Sequence, residues 1–71
     1  MPAVNVVIDK VVPLKDPKKR VEFRIGEAKW VFTMWRQDGC NTPVMETYCV
    51  GLLTKGEEEA LVRALKKHPK F

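Results

Sequence analysis

The chain has 71 residues, enough for one small domain over residues 1–71 and no more. Hydrophobic residues make up 45% and charged residues 31%, which separates it from disordered chains. Thirteen Lys and Arg against nine Asp and Glu leave a net charge of +4, compatible with an anionic partner but not demanding one. No apolar run approaches the ~20 residues of a membrane span, and Met1-Pro2-Ala3-Val4-Asn5 has neither the charged head nor the apolar stretch of a signal peptide. Two cysteines are too few for a secreted disulfide framework, so a cytoplasmic chain with reduced thiols is expected.

The first predicted element is a strand over residues 4–12. It places Val4, Val6 and Ile8 on one side and Val7 and Val11 on the other. Pro13 and Pro17 end it, and a solvated basic loop holding Lys15, Lys18 and Lys19 follows. Residues 21–25 alternate cleanly: Val21, Phe23 and Ile25 face a core, while Glu22 and Arg24 face water. Gly26-Glu27 suits a tight hairpin into a third strand over residues 29–37. That strand carries Trp30, Phe32 and Met34 on one face and Val31, Thr33 and Trp35 on the other. Both faces are largely apolar; the chain's own helix would cover one, and a second copy or a ligand the other.

Asp38-Gly39 signals a turn, and the loop after it contains Cys40. The alternation of Tyr48, Val50 and Leu52 with Thr47, Cys49 and Gly51 predicts a fourth strand within residues 44–53, with a bend at Gly51. Thr54-Lys55-Gly56-Glu57 then matches a capping box. It opens a helix over residues 55–67, with Leu61 and Leu65 on its apolar stripe, Glu59 and Arg63 in favourable i,i+4 order and Pro69 as its stop. The expected fold is α+β: a four-stranded antiparallel meander followed by one C-terminal helix, β-β-β-β-α.

Catalytic chemistry finds little support. The chain has no serine, so no Ser–His–Asp triad exists. Its one histidine, His68, lies beside Pro69 near a chain end read as mobile and solvent-exposed, poorly placed for a general base. Cys40 and Cys49 lack the spacing of a metal site, and a bridge between them is disfavoured in a reducing compartment. Cys49 reads as a small core residue within the fourth strand. Glu57, Glu58 and Glu59 diverge around a helix and form no catalytic pair, and no glycine-rich phosphate loop is present. Neither an enzyme nor a cofactor nor a metal is expected.

What remains is a combination of cations and rings. Lys18, Lys19 and Arg20 lead into one strand; Arg24, Lys29 and Arg36 lie on or beside the sheet; Phe23, Trp30, Phe32, Trp35 and Tyr48 supply the rings. Single-stranded nucleic acid is held by that pairing, with cations tracking phosphates and rings stacking on bases.

From Arg20 to Lys67 the chain resembles the positive cofactor four family of transcriptional coactivators. The resemblance rests on Lys19-Arg20-Val21-Glu22-Phe23-Arg24, on Lys29-Trp30-Val31-Phe32-Thr33-Met34-Trp35-Arg36, and on Gly51-Leu52-Leu53-Thr54 before a Glu-rich helix start. Several features differ from that pattern, a longer N-terminal strand and a shorter helix among them. Val50 stands where the family carries a lysine, and Glu59 or Ala60 where it carries a large apolar residue. The resemblance implies a four-stranded sheet with one helix, a homodimer, and single-stranded DNA binding in transcription or DNA maintenance. It further implies that Arg24, Lys29 and Arg36 contact phosphates, Trp35 stacks on a base, and Lys18, Lys19 and Arg20 steer the strand. The competing expectation is a small non-catalytic interaction module, a phage- or plasmid-borne regulator, with Trp35 as the anchor of a protein interface.

Overall fold

A computed structural model of the chain describes residues 4–37 and 42–71. Four strands, β1 (Val6–Pro13), β2 (Lys19–Ile25), β3 (Ala28–Arg36) and β4 (Pro43–Met45), form one antiparallel sheet in the order β1-β2-β3-β4. A 3-10 turn, η1 (Thr47–Cys49), leads to the single helix, α1 (Lys55–Lys66). The fold is the β-β-β-β-α arrangement that the patterning predicts. Asp38, Gly39 and Cys40, like residues 1–3, lie outside the described residues.

The β2–β3 hairpin is the most regular part. Ile25 pairs with Ala28, so Gly26 and Glu27 alone make the turn, and Gly26 takes the positive φ of 60° that a Cβ disfavours. The ladder then sets Val21 opposite Phe32 and Phe23 opposite Trp30 on one face, and Arg20 opposite Thr33 and Arg24 opposite Lys29 on the other.

Helix α1 starts as its sequence dictates. The Thr54 hydroxyl accepts from the Glu57 amide at 3.2 Å, and the Thr54 amide donates to the Glu57 carboxylate at 2.9 Å. Leu61 and Leu65 are fully buried against Val21, Phe23, Phe32 and Met34, with Cys49, Leu53 and Phe71 closing the core. Phe23 and Phe32 meet edge-to-face at 5.0 Å, and half-buried Trp30 extends the cluster, 5.7 Å from Phe32. Each such side chain contributes about 1.5–3 kcal/mol on leaving water. No ion pair within 4.0 Å joins Glu59 to Arg63 among the described residues.

Three sequence expectations are corrected. First, Val11 faces the core beside Val6 and Ile8, not away from it. A bulge between Ile8 and Lys10 inserts Asp9 as an extra residue and reverses the alternation beyond it. Second, the fourth strand stops at Met45. The Cys49 amide bonds to the Glu46 carbonyl at 2.9 Å and the Val50 amide to that of Thr47 at 3.1 Å, so the chain curls instead of extending. Gly51, at φ 86°, completes the reversal toward α1. Cys49 is buried, but in this turn rather than mid-strand, while Tyr48, Val50 and Leu52 are 52–64% exposed. Third, the segment after α1 is packed down: Phe71 is buried, His68 is half-buried, and His68 Nδ1 accepts from the Lys70 amide at 3.2 Å.

Gly26 tests the hairpin directly. Nothing lies within 4 Å of where its Cβ would stand, so Gly26→Ala adds no clash and carries only backbone strain. Urea denaturation should show a loss of roughly 1–2 kcal/mol, and a smaller loss for Gly26→Asn.

Candidate nucleic-acid interface

Side chains alternate along β3, and one helix covers one side only. The uncovered face therefore carries the odd-numbered β3 residues Lys29, Val31, Thr33 and Trp35. Beside them stand Arg20, Glu22 and Arg24 of β2 and Val44 of β4, which pairs with Trp35. Val31 is 53% exposed. Tyr48 leans over the same face from η1, its hydroxyl 2.9 Å from the Thr33 hydroxyl. The face thus holds two rings near the β4 end of the sheet and cations along β2 and β3.

The cations differ in their engagement. Arg24 grips Asp9 through both Nε and Nη2, at 2.8–3.1 Å. Hydrogen bonding to Asp9, and then its charge, raises the Arg24 pKa, so Arg24 stays a cation at any usable pH. Arg20 Nε lies 3.6 Å from Glu22. Lys18 Nζ is 2.7 Å from the Glu46 carboxylate and 5.1 Å from the centre of the Trp35 ring, so it shields part of that indole. Lys29 has no carboxylate within 4.0 Å among the described residues. Arg24 and Lys29 stand directly opposite each other across the ladder, which is unfavourable for like charges. Asp9 relieves part of that repulsion, and an anion between the two would relieve more. A hollow of about 300 Å³ lies here, lined in part by Arg24, Lys29 and Val31, with Asp9 and Glu22 also on its wall.

Lys19 and Arg36 belong elsewhere. Lys19 pairs with Met34 and so shares the helix side of the sheet. Its Nζ donates to the Phe71 carbonyl at 2.6 Å and lies 5.3 Å from the Phe71 ring centre. Arg36 has the same parity as Met34. Its Nη2 reaches the carbonyls of Leu65 and Lys66 at 3.4 and 3.5 Å, and its guanidinium lies 5.4 Å from the Phe71 ring. A cation on the last carbonyls of a helix also offsets its dipole. Of the seven residues singled out from the sequence, Lys18, Arg20, Arg24, Lys29 and Trp35 share the open face; Lys19 and Arg36 brace α1 and Phe71. The parity of residues 19 and 36 was available in the sequence, but the buried Phe71 that they embrace was not. Tyr48 joins the open face through a turn that the alternation concealed.

Among the described residues no helix is long and apolar enough to cross a membrane, and no group of three or more His, Cys, Asp or Glu is placed to hold a metal. No family model, curated protein or solved structure matches the chain.

The split between the two groups of cations has a measurable consequence. Arg36→Met keeps the aliphatic stem and removes the carbonyl and ring contacts, so it should lower stability by about 1 kcal/mol. Lys29→Met should leave the urea midpoint within about 0.5 kcal/mol of the parent. Equal effects would contradict the division.

Proposed function

We propose that the chain binds single-stranded nucleic acid across the open face of its sheet, in transcription or DNA maintenance in the cytoplasm, without catalysis. The observation that carries this reading is the placement of Trp35, Tyr48, Arg20, Arg24 and Lys29 on one uncovered antiparallel face. Along β3, Trp35 is six residues from Lys29, about 20 Å of extended strand, room for several nucleotides. Bases stack on Trp35 and on Tyr48, each worth about 1–3 kcal/mol. Phosphates approach the Arg24–Lys29 pair and Arg20. The resemblance to the positive cofactor four family supports the same substrate, and the β-β-β-β-α order agrees with its architecture. In this reading Arg36 holds the end of the helix, Lys19 holds Phe71, and neither touches the nucleic acid.

The carboxylates on this face compete with phosphate. Asp9 holds Arg24, and Glu22 holds Arg20. Binding is therefore governed by exchange of a carboxylate partner for a phosphate. A second reading, a small non-catalytic protein-interaction module that uses the same face as its interface, is favoured by exposed Val31 and Tyr48 beside Trp35.

Titration with oligo-dT at low salt should quench tryptophan fluorescence, and affinity should fall with rising salt at a log–log slope of about −2, from about three phosphates at −0.7 each. Asp9→Asn frees Arg24 and should tighten binding several-fold; Arg24→Gln should weaken it. Trp35→Ala should reduce oligonucleotide affinity at least tenfold with the oligomeric state unchanged. Loss of a dimer with no change in oligonucleotide affinity would instead establish the interface reading. No quenching at low salt would remove nucleic-acid binding altogether.

A further inference from the structure

A second surface lies at the other end of the sheet and has different chemistry. Strand β1 is an edge: among the described residues it pairs with β2 alone. Among the described residues, residues 4–13 make no backbone hydrogen bond outside the β1–β2 ladder. Alternate N–H and C=O groups of the edge therefore face solvent, the arrangement that templates an added strand. The bulge at Asp9 divides the paired edge into Val6–Ile8 and Lys10–Pro13. Val4, just before the strand, and Val7, within its first stretch, are 39% and 40% exposed.

The flank of the edge is built by α1. Ala60, Arg63, Ala64 and Lys67 lie on one helix face and, with Val4 and Val6, line a hollow of about 200 Å³. Its floor is apolar and its rim is cationic. A neighbouring hollow of about 370 Å³ adds Lys10 and Lys70. Arg63, Lys67, Lys10 and Lys70 make no ion pair within 4.0 Å among the described residues, whereas three cations around the open face are engaged by carboxylates. The one carboxylate lining either hollow, Asp9, is taken by Arg24.

We infer that the β1 edge, flanked by Arg63 and Lys67, is a docking site for an extended acidic peptide that adds a strand to the sheet. Two complementary features recognise it. The open backbone row accepts a polypeptide main chain, and nucleic acid has no matching repeat. The unpaired cations select carboxylate side chains. A second copy of this chain fits poorly, because it would bring the same cations to the same rim on a chain already carrying +4. The site is separate from the open face proposed for nucleic acid.

The test uses the full chain, uniformly labelled with nitrogen-15, and four probes: a ten-residue peptide alternating valine with glutamate, its valine–lysine counterpart, the acidic peptide interrupted by prolines, and a ten-residue oligo-dT. The acidic peptide should shift the amides of residues 4–8 and slow their hydrogen exchange, while the lysine and proline peptides leave them unmoved. Arg63→Glu combined with Lys67→Glu should weaken that binding at least tenfold; both side chains are on the solvent side of the helix, and circular dichroism checks its retention. Three results would each overturn the inference: no shift with the acidic peptide at low salt, shifts confined to the open face around Trp35, or binding at residues 4–8 by the proline peptide or oligo-dT as tight as by the acidic peptide. Because the readout is by residue, failure here is distinguishable from failure of the open-face reading.

Discussion

One helix cannot cover two faces, and β3 is apolar on both. That constraint organises the molecule. Phe32 and Met34 point to the side on which Leu61 and Leu65 are buried, and the alternation of a strand then leaves Val31, Thr33 and Trp35 on the other side. The same parity carries Arg36 to the helix side, where it meets the last carbonyls of α1 and the ring of Phe71. Lys19, opposite Met34, closes on Phe71 from β2. The helix is thus held at its start by its own capping box and at its end by Arg36 from the sheet, while Lys19 holds Phe71 beyond it. In so small a core, fixing both ends of this helix matters, because helix ends otherwise leave orphan backbone groups.

The parts legible in the sequence are those where local and tertiary preferences agree. The β2–β3 hairpin has a glycine where its turn needs positive φ, and strict alternation on either side. Helix α1 has a cap, an apolar stripe and a stop. The illegible parts are those where one residue changes a count or a distant partner decides. Asp9 is a poor strand former amid valines, and this was the available signal for a bulge; without it, Val11 is assigned to the wrong face. At residues 47–53 the alternation of Tyr48, Val50 and Leu52 imitates a strand. The chain must nonetheless leave the sheet edge and reach the helix side within a few residues, and the 3-10 turn with Gly51 does so, burying Cys49 and Leu53 instead. Phe71, isolated beyond Pro69, has no periodicity to announce its burial.

For the candidate site, composition indicated cations and rings, and parity alone would have sorted most of them. Lys19, Arg20, Arg24 and Arg36 do not form one cationic set. Neighbours in sequence at a strand start, such as Lys19 and Arg20, project to opposite faces and meet different chemistry. Arg20 meets Glu22 at the open face, whereas Lys19 meets a carbonyl and a ring beneath the helix.

Net charge is therefore a poor guide to which anion this chain meets. The open face has rings and cations, but Asp9, Glu22 and Glu46 already occupy three of those cations. Exposed pairs of this kind contribute little to stability, and their larger effect is to hold long side chains in defined positions that a phosphate can take over from the carboxylate. At the β1 edge the cations have no such carboxylate partners among the described residues, but the backbone supplies the order instead, since the strand is already extended. Under the proposed readings, an anionic ligand at the first surface would exchange one partner for another; at the second it would meet cations without a carboxylate partner among the described residues and would itself have to be ordered as it binds. The first arrangement suits a flexible polyanion with bases to stack, and the second suits a polypeptide that gains a ladder as it becomes extended.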